Sequence, residues 1–325
     1  MTMTVNCTAV NPTRTFTASS LLPAQLSIPA RQSGLWSPVT LGGVLWRGFT
    51  HIKTHREVLR FLLRYPPLTE VVFSNPSFAC KYLAQNYLVR GFTVAERAAC
   101  FLHHYKRLLS ALPDSLLRRT LREDVAIHAI PEGANRFVVT MGKSRPSFLE
   151  GELSLHLRVD GVIVYVLSFT IVPGWVVKSQ ADEILLITRL QGVKGAYPPI
   201  SYATKTLHDV APGALLLAAL LGIAQAFGIV EIAAVSGVLQ SYYSEGDAAA
   251  FKEAYEDFFT ELGIPKSASG FFHIPLPFQE KPLTFIKHGH KIRTREKRAF
   301  KKQIMLACAG FFEKFAPDAS RNLPV

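Results

Sequence analysis

The 325-residue chain has few cysteines, and none of them stands in a metal-binding pattern. The four cysteines are Cys7, Cys80, Cys100 and Cys308. They are scattered, and no pair has the spacing of a zinc site or of a small disulfide scaffold. We therefore expect no metal and no disulfide framework. A reducing, cytoplasmic setting fits this cysteine usage best.

The chain also lacks a clear secretory signal and an uninterrupted apolar run long enough to span a membrane. The best signal-peptide candidate, around residues 20–28, is broken by Pro23 and Gln25. The longest apolar run, Ala214 to Val230, has Gln225 as its only polar side chain. A membrane span needs about 20 apolar residues, and glycines interrupt this run. We predict a buried helix here, with a membrane-spanning helix as the alternative.

Acidic residues are scarce in one segment, which we call the basic segment (residues 281–302). The chain has a net charge of +12, with 49% hydrophobic and 18% charged residues. The basic segment holds nine Lys or Arg and a single acid, Glu296, so most of the excess charge is local.

The basic segment has several explanations. Clusters of 4–8 basic residues are typical of contact with anionic lipids. An anionic acyl carrier is a second candidate partner. Nucleic acid is disfavoured because only two aromatic residues, Phe285 and Phe300, are interleaved with the basic residues. A solvated helix start remains the alternative without function. The candidate contact residues are Lys291, Arg293, Arg295, Lys297 and Arg298.

Periodicity predicts an α+β fold with an N-terminal helical domain followed by a mixed α/β sheet domain. We expect a disordered leader (1–39), a helical domain (40–122), a sheet domain (123–315) and a tail (316–325). Thr93 and Glu96 form a capping-box pattern at the start of the clearest helix. Alternation with period two begins near Val125, and Asp160-Gly161 predicts a hairpin.

The centre of the predicted sheet domain is a strand–helix–strand unit. Glu183 to Leu190 and Ile229 to Val235 read as buried strands. Helices are predicted between them over Ile200 to Asp209 and Ala214 to Phe227. This connection is long enough for a crossover, so the two strands can lie parallel.

Several motifs resemble those of the bacterial VirK/YbjX family. They are HHY (103–105), GELSLHL (151–157), VYVLSF (164–169), RLQG (189–192), ATKTLHDVAPGALLLAAL (203–220), AAVSG (233–237) and KIRTREKR (291–298). Their order and spacing fit from about residue 45 to the end. The resemblance implies a bacterial protein, in a family some of whose members are associated with virulence, envelope maintenance and resistance to cationic antimicrobial peptides. It implies no settled reaction.

The order of hairpin, strand, crossover and strand is also similar to the layout of the GNAT acyltransferases. That similarity implies acyl-CoA or an acyl carrier as donor, splayed central strands, and a cleft at residues 191–205. The loop after the central strand would then present N–H groups to a pyrophosphate. The residues in question are Arg189, Gln191, Gly192, Gly195 and Thr204. The GNAT loop pattern itself is not met, so a plain turn is the alternative.

Two sets of side chains are candidates for catalysis. Lys205 and His208 stand at positions i and i+3, so on a continuous helix they would share a face. Such a pair can bind an anion or act in acid–base chemistry, whereas a solvated helix surface is the alternative. His104 and Tyr105 could serve as base and proton donor, and a buried structural histidine is the alternative.

The sequence thus leaves two functional hypotheses. The first is an enzyme or accessory factor acting on envelope components, with a GNAT-like acyltransferase core. The second is a non-enzymatic membrane-surface or chaperone-like protein that binds through the basic segment. A cytoplasmic protein, peripheral at the inner membrane, fits both.

Overall fold

Helices come first in the described part of the chain. The structure is a computed structural model that describes residues 38–131, 136–144 and 148–315, so the predicted tail and nearly all of the predicted leader lie outside it. The first elements are α1 (Pro38–Thr50), α2 (Ile52–Arg64), α3 (Pro66–Ser74), a 3₁₀ helix (Pro76–Leu83), α4 (Val94–Ala111) and α5 (Asp114–Arg122).

The start of α4 is fixed by the predicted capping box. The Thr93 hydroxyl accepts a hydrogen bond from the Glu96 N–H at 3.2 Å. The Glu96 carboxylate accepts one from the Thr93 N–H at 2.7 Å. Both donors would otherwise lack intrahelical partners, so the pair defines where the helix begins.

A seven-stranded mixed sheet follows, which confirms the predicted α+β class. Its strands are β1 (Val125–Ile130), β2 (Phe137–Lys143), β3 (Leu153–Val159), β4 (Val162–Pro173), β5 (Glu183–Gly192), β6 (Glu231–Val235) and β7 (Phe271–Pro275). They lie in sequence order across the sheet. Asp160 and Gly161 make the predicted hairpin turn, with φ of 50° and 83°.

The predicted crossover joins β5 and β6, which pair in parallel. It contains α6 (Tyr197–Thr206) and α7 (Pro212–Phe227). α7 is largely buried and ends at Gly228, whose φ is 68°. Among the described residues, no helix is both long and apolar enough to cross a membrane.

The C-terminal elements cover the sheet. α8 (Ala248–Phe251), a π-helix (Lys252–Asp257) and α9 (Phe258–Glu261) form a continuous helical segment, followed after β7 by α10 (Lys291–Glu313). The sequence predicts a last helix over Arg298 to Phe315, and α10 begins earlier, at Lys291. Helices and sheet share one hydrophobic core, which also contains residues of the N-terminal helices.

α7 and α10 pack side by side and run in the same direction. Near the start of α7, the His208 ring lies 4.8 Å from the Phe300 ring. At its end, the Phe227 ring lies 5.5 Å from the Phe312 ring. Between these points Gly222 lets the helices touch, because a Cβ there would lie 2.1 Å from the Met305 carbonyl oxygen.

Candidate active site

A β-bulge at Thr188 marks the point where the central parallel strands part. In the β4–β5 ladder, Ser168 pairs with Arg189 and Phe169 pairs with Ile187, so Thr188 is an extra residue. β5 and β6 pair only over 185–187 and 232–234, whereas β5 continues to Gly192. Bulges bend a strand and re-aim its side chains, and they are common beside active sites.

A buried carboxylate, Glu150, lies at this bulge. The Arg189 Nη1 donates to Glu150 Oε2 at 2.9 Å, and the Gln240 Nε2 donates to Glu150 Oε1 at 2.5 Å. The Thr188 hydroxyl donates to the Glu150 backbone carbonyl. These residues come from the segment before β3, from β5 and from the segment after β6. Their meeting point is the carboxyl end of the two parallel strands.

Burial strengthens the affinity of the Glu150 carboxyl for a proton. Its side chain is only 6% exposed. Burial raises the pKa of the Glu150 carboxyl, and Arg189 and Gln240 partly offset this shift. A carboxyl with a raised pKa, held by a cation and an amide, is suited to accept and release a proton.

Two further side chains complete this set, which we call the strand-end cluster: Glu150, Arg189, Ser236, Gln240 and Tyr255. Tyr255 comes from the π-helix and is 2% exposed. Burial first, and Glu150 second, raise the pKa of the Tyr255 hydroxyl, so it stays a neutral proton donor. Ser236 directly follows β6 and is fully buried. Its Oγ, like Arg189 Nε, has no hydrogen-bond partner among the described residues.

The same end of the sheet receives the N-terminus of α7. Tyr165 pairs with Gly192 at the end of β5. A Cβ on Gly213 would lie 3.2 Å from the Tyr165 hydroxyl and 3.4 Å from the Phe258 ring. The first turn of α7 therefore packs between β4 and α9, and its positive dipole end faces this region.

The predicted phosphate loop has the contacts of a tight turn. Gln191 and Gly192 are the last residues of β5 and pair with β4. The Val193 N–H donates to the Val164 carbonyl at 2.9 Å, and Gly195 turns the chain with φ of 83°. Prolines in the first turn of α6 remove further donors. A groove beside α7 and a polar depression beside Asp124 are both lined by residues outside 191–205.

The structure separates the side chains that were predicted to cluster on the crossover. Thr204 donates its hydroxyl to the Ile200 carbonyl at 2.9 Å, and Lys205 is exposed in the last turn of α6. His208 lies beyond the helix, with φ of 53°, and contacts Phe300. Because α6 ends at Thr206, Lys205 and His208 do not share a helical face, contrary to the prediction.

Tyr105 belongs to a second buried cluster, around Glu152. The Tyr105 and Tyr87 hydroxyls both donate to the Glu152 carboxylate. The Lys81 Nζ lies 2.9 Å from Glu152 Oε1. All four side chains are less than 5% exposed. This cluster ties the N-terminal helices to the start of β3, so it reads as an anchor of the fold.

His104 lies in the core beside that anchor. Its Nδ1 accepts a hydrogen bond from the Ile171 N–H at 3.0 Å. Burial, reinforced by Lys81 and His103, holds the pKa of His104 well below its ordinary value. The ring is therefore neutral, and no contact joins His104 to Lys205 or to Glu150.

Part of the basic segment is neutralised within the protein. Arg293 lies 2.6 Å from Asp209, Arg298 lies 2.5 Å from Glu280, and Lys301 also pairs with Glu280. In the described residues, four cations of α10 have no ion-pair partner: Lys291, Arg295, Lys297 and Lys302. No group of three His, Cys, Asp or Glu in the same residues is placed to hold a metal ion.

The comparisons with known proteins identify the family. A family model described as "Protein of unknown function (DUF535)" matches residues 44–305. That family is the VirK/YbjX family. The chain belongs to the VirK/YbjX family. No curated protein and no solved structure matches it.

Several VirK/YbjX motifs converge on the strand-end cluster. Glu150 immediately precedes the GELSLHL motif, Arg189 opens RLQG, and Ser236 lies within AAVSG. Only Arg189 was predicted as a site residue. Glu150, Gln240 and Tyr255 were not predicted, because the fold brings them together and no local sequence pattern indicates that they meet. The one available signal was that polar residues stand at the ends of two parallel strands.

Proposed function

We propose that this VirK/YbjX protein is an acyltransferase whose active site is the strand-end cluster. It moves an acyl group from a thioester donor, acyl-CoA or an acyl carrier, to an amine or hydroxyl of an envelope component. The observation that supports this most is the buried Glu150 carboxyl, held by Arg189 and Gln240 where β5 leaves β6. Ligands collect at the carboxyl ends of strands in such sheets.

The proposed chemistry needs one base and one acid. Glu150 takes the proton from the attacking amine or hydroxyl, which forms a bond to the thioester carbonyl carbon. The tetrahedral intermediate then loses the thiolate as the carbon–sulfur bond breaks, and the neutral Tyr255 hydroxyl protonates the sulfur. Arg189 holds the Glu150 carboxylate in place, and its unpartnered Nε is a donor for the developing oxyanion.

Turnover of acyl-CoA tests the proposal. Free thiol is measured after incubating the protein with acyl-CoA donors of different chain length and a bacterial lipid extract as acceptor. Glu150→Gln should lower the rate by about 10²–10⁴-fold, the usual contribution of general acid–base catalysis. Tyr255→Phe should also slow it, because the proton donor for the leaving sulfur is lost.

The matched control is Glu183→Gln, which changes the carboxylate at the opposite end of β5. Glu183 lies 2.8 Å from Arg107, far along the strand from the bulge. This variant should retain the wild-type rate. A folded Glu150→Gln protein with the wild-type rate, or a wild-type protein that releases no thiol from any donor, would reject the acyltransferase proposal.

A second candidate function is contact with an anionic membrane surface through the basic segment. Two apolar side chains in that segment, Phe285 and Ile292, are 70% and 71% exposed beside its unpaired cations. Basic residues with exposed apolar neighbours are typical of peripheral membrane contact. Peripheral location at the inner membrane, envelope maintenance and peptide resistance are the roles that this function would serve.

A further inference from the structure

A groove runs along α7 on the side that faces α10. Its volume is about 690 Å³, within the range of about 300–1,000 Å³ for ligand pockets. Five α7 residues form one stripe along its floor: Ala214, Leu217, Ala218, Leu221 and Gln225. At about 1.5 Å per residue this stripe is roughly 17 Å long. The shape is that of an elongated chain.

The groove is charged at one end and apolar at the other. Arg298, Lys301 and Lys302 line it, with Glu280 as the only acid among the lining residues. Since α10 runs in the same direction as α7, these cations lie towards the start of α7, where the helix dipole is also positive.

The opposite end of the groove is uncharged, and apart from Gln225 its side chains are apolar. Met305, Leu276 and Val230 line this part. The Leu276 N–H donates to the Val230 carbonyl at 2.8 Å, which fixes the wall at the far end of α7. A ligand that matches both ends therefore has an anionic head and an apolar tail.

We propose that the groove binds a single fatty acyl chain with an anionic head, a carboxylate or a phosphate. The tail lies along the α7 stripe, and the head lies beside Lys302 and the excess positive charge around Glu280. Lys302 is exposed and has no ion pair among the described residues, so its cation is available to the head. The inference does not depend on the acyl-transfer chemistry, because the strand-end cluster lines no part of the groove.

Fluorescence titration with cis-parinaric acid on the full chain tests the groove. Decanoate, dodecanoate and tetradecanoate should displace the probe with affinity rising about fourfold per methylene, as expected for a buried tail. Palmitate should displace it better than hexadecanol, which has the same chain and no charge. Equal displacement by palmitate and hexadecanol, or no dependence on chain length, would overturn the proposal.

Variants then locate the binding site. Leu221→Trp fills the floor, and Met305→Trp fills the opposite wall; each should weaken palmitate binding at least tenfold at an unchanged melting temperature. Two variants are used so that one misfolded protein does not decide the result. Normal palmitate binding by either folded Trp variant would contradict the assignment.

The charge of the head is tested by a matched pair of lysine variants. Lys302→Gln should weaken palmitate severalfold and leave hexadecanol unchanged. Lys297→Gln removes the same charge from α10 outside the groove, and it should change neither ligand. Equal losses in the two variants would indicate a diffuse basic surface, which refutes a defined head site. Phosphate-headed lysophospholipid, tested in parallel, distinguishes a lipid headgroup from a free carboxylate.

Discussion

The substitution Glu152→Gln should destabilise the fold strongly, although it changes a single functional group. In the native protein the Glu152 carboxylate accepts hydrogen bonds from Tyr87 and Tyr105 and neutralises Lys81, 2.9 Å away. Glutamine keeps the size of the side chain and removes its charge. Lys81, which is 4% exposed, is then a buried cation without a counterion.

The expected loss of stability is about 3–5 kcal/mol, the cost of removing one partner of a buried ion pair. At about 2 °C per kcal/mol for a chain of this size, the melting temperature should fall by roughly 6–10 °C. The double variant Lys81→Met, Glu152→Gln should be more stable than Glu152→Gln alone, since it no longer contains a buried cation without a counterion.

The pH dependence distinguishes this mechanism from lost packing. Burial lowers the pKa of Lys81, and Glu152 counteracts that shift in the native protein. Without Glu152 the folded state holds the Lys81 proton weakly, whereas the unfolded state binds it up to a pH of about 10.4. Stability of the variant should therefore recover as the pH rises from 7 towards 10.

Urea unfolding at pH 7 and pH 9.5 measures these quantities. A loss below about 1 kcal/mol at pH 7 would refute the assignment of Glu152 as an anchor. A large loss that is the same at both pH values would indicate disturbed packing, and the charge argument would then be wrong.

Two further outcomes are expected. Replacing four basic residues of α10 with Gln should weaken sedimentation with anionic vesicles and flatten its salt dependence; they are Arg293, Arg295, Lys297 and Arg298. The control makes the same change at four exposed cations of α2, which should leave sedimentation unchanged: Lys53, Arg56, Arg60 and Arg64. Equal binding by both variants would reject contact through the basic segment. Stability should also fall as the pH drops from about 6.5 towards 4. Burial lowers the pKa of His55 to about 4 and holds the pKa of His104 well below its ordinary value. Only the unfolded chain therefore binds these protons, which costs up to about 1.4 kcal/mol of stability per pH unit for each histidine. Urea midpoints that do not change between pH 7 and pH 5 would contradict the second expectation.

Local chemistry made much of the fold predictable from the sequence. The capping box of Thr93 and Glu96, the Asp160-Gly161 hairpin and the parallel crossover are each confirmed. Each depends on residues close in sequence or on the length of a connection.

Errors arose where the backbone leaves its regular path. His208 and Asp209 have positive φ, which ends α6 early and moves His208 off the face of Lys205. The pattern of Asp247 to Leu262 predicts one amphipathic α-helix, which the π-helix at Lys252–Asp257 interrupts. Both irregularities depend on tertiary contacts, and local propensity does not encode such contacts.

The candidate site was beyond sequence reasoning for a related reason. Glu150, Arg189 and Gln240 are far apart in the chain, and they meet beside the bulge at Thr188. Neither a spacing rule nor a local motif reports such a meeting. Glu150 and Glu152 stand two residues apart and are both buried, so their contacts alone distinguish the proposed acid–base group from the anchor.

The position of bound coenzyme A in a co-crystal structure tests the central claim most directly. If the strand-end cluster is the active site, the sulfur should lie between the ends of β5 and β6. It should be within hydrogen-bond reach of Tyr255 and close to Glu150, directly or through one water. Coenzyme A bound only in the α7 groove, or only on the surface of α10, would contradict the account.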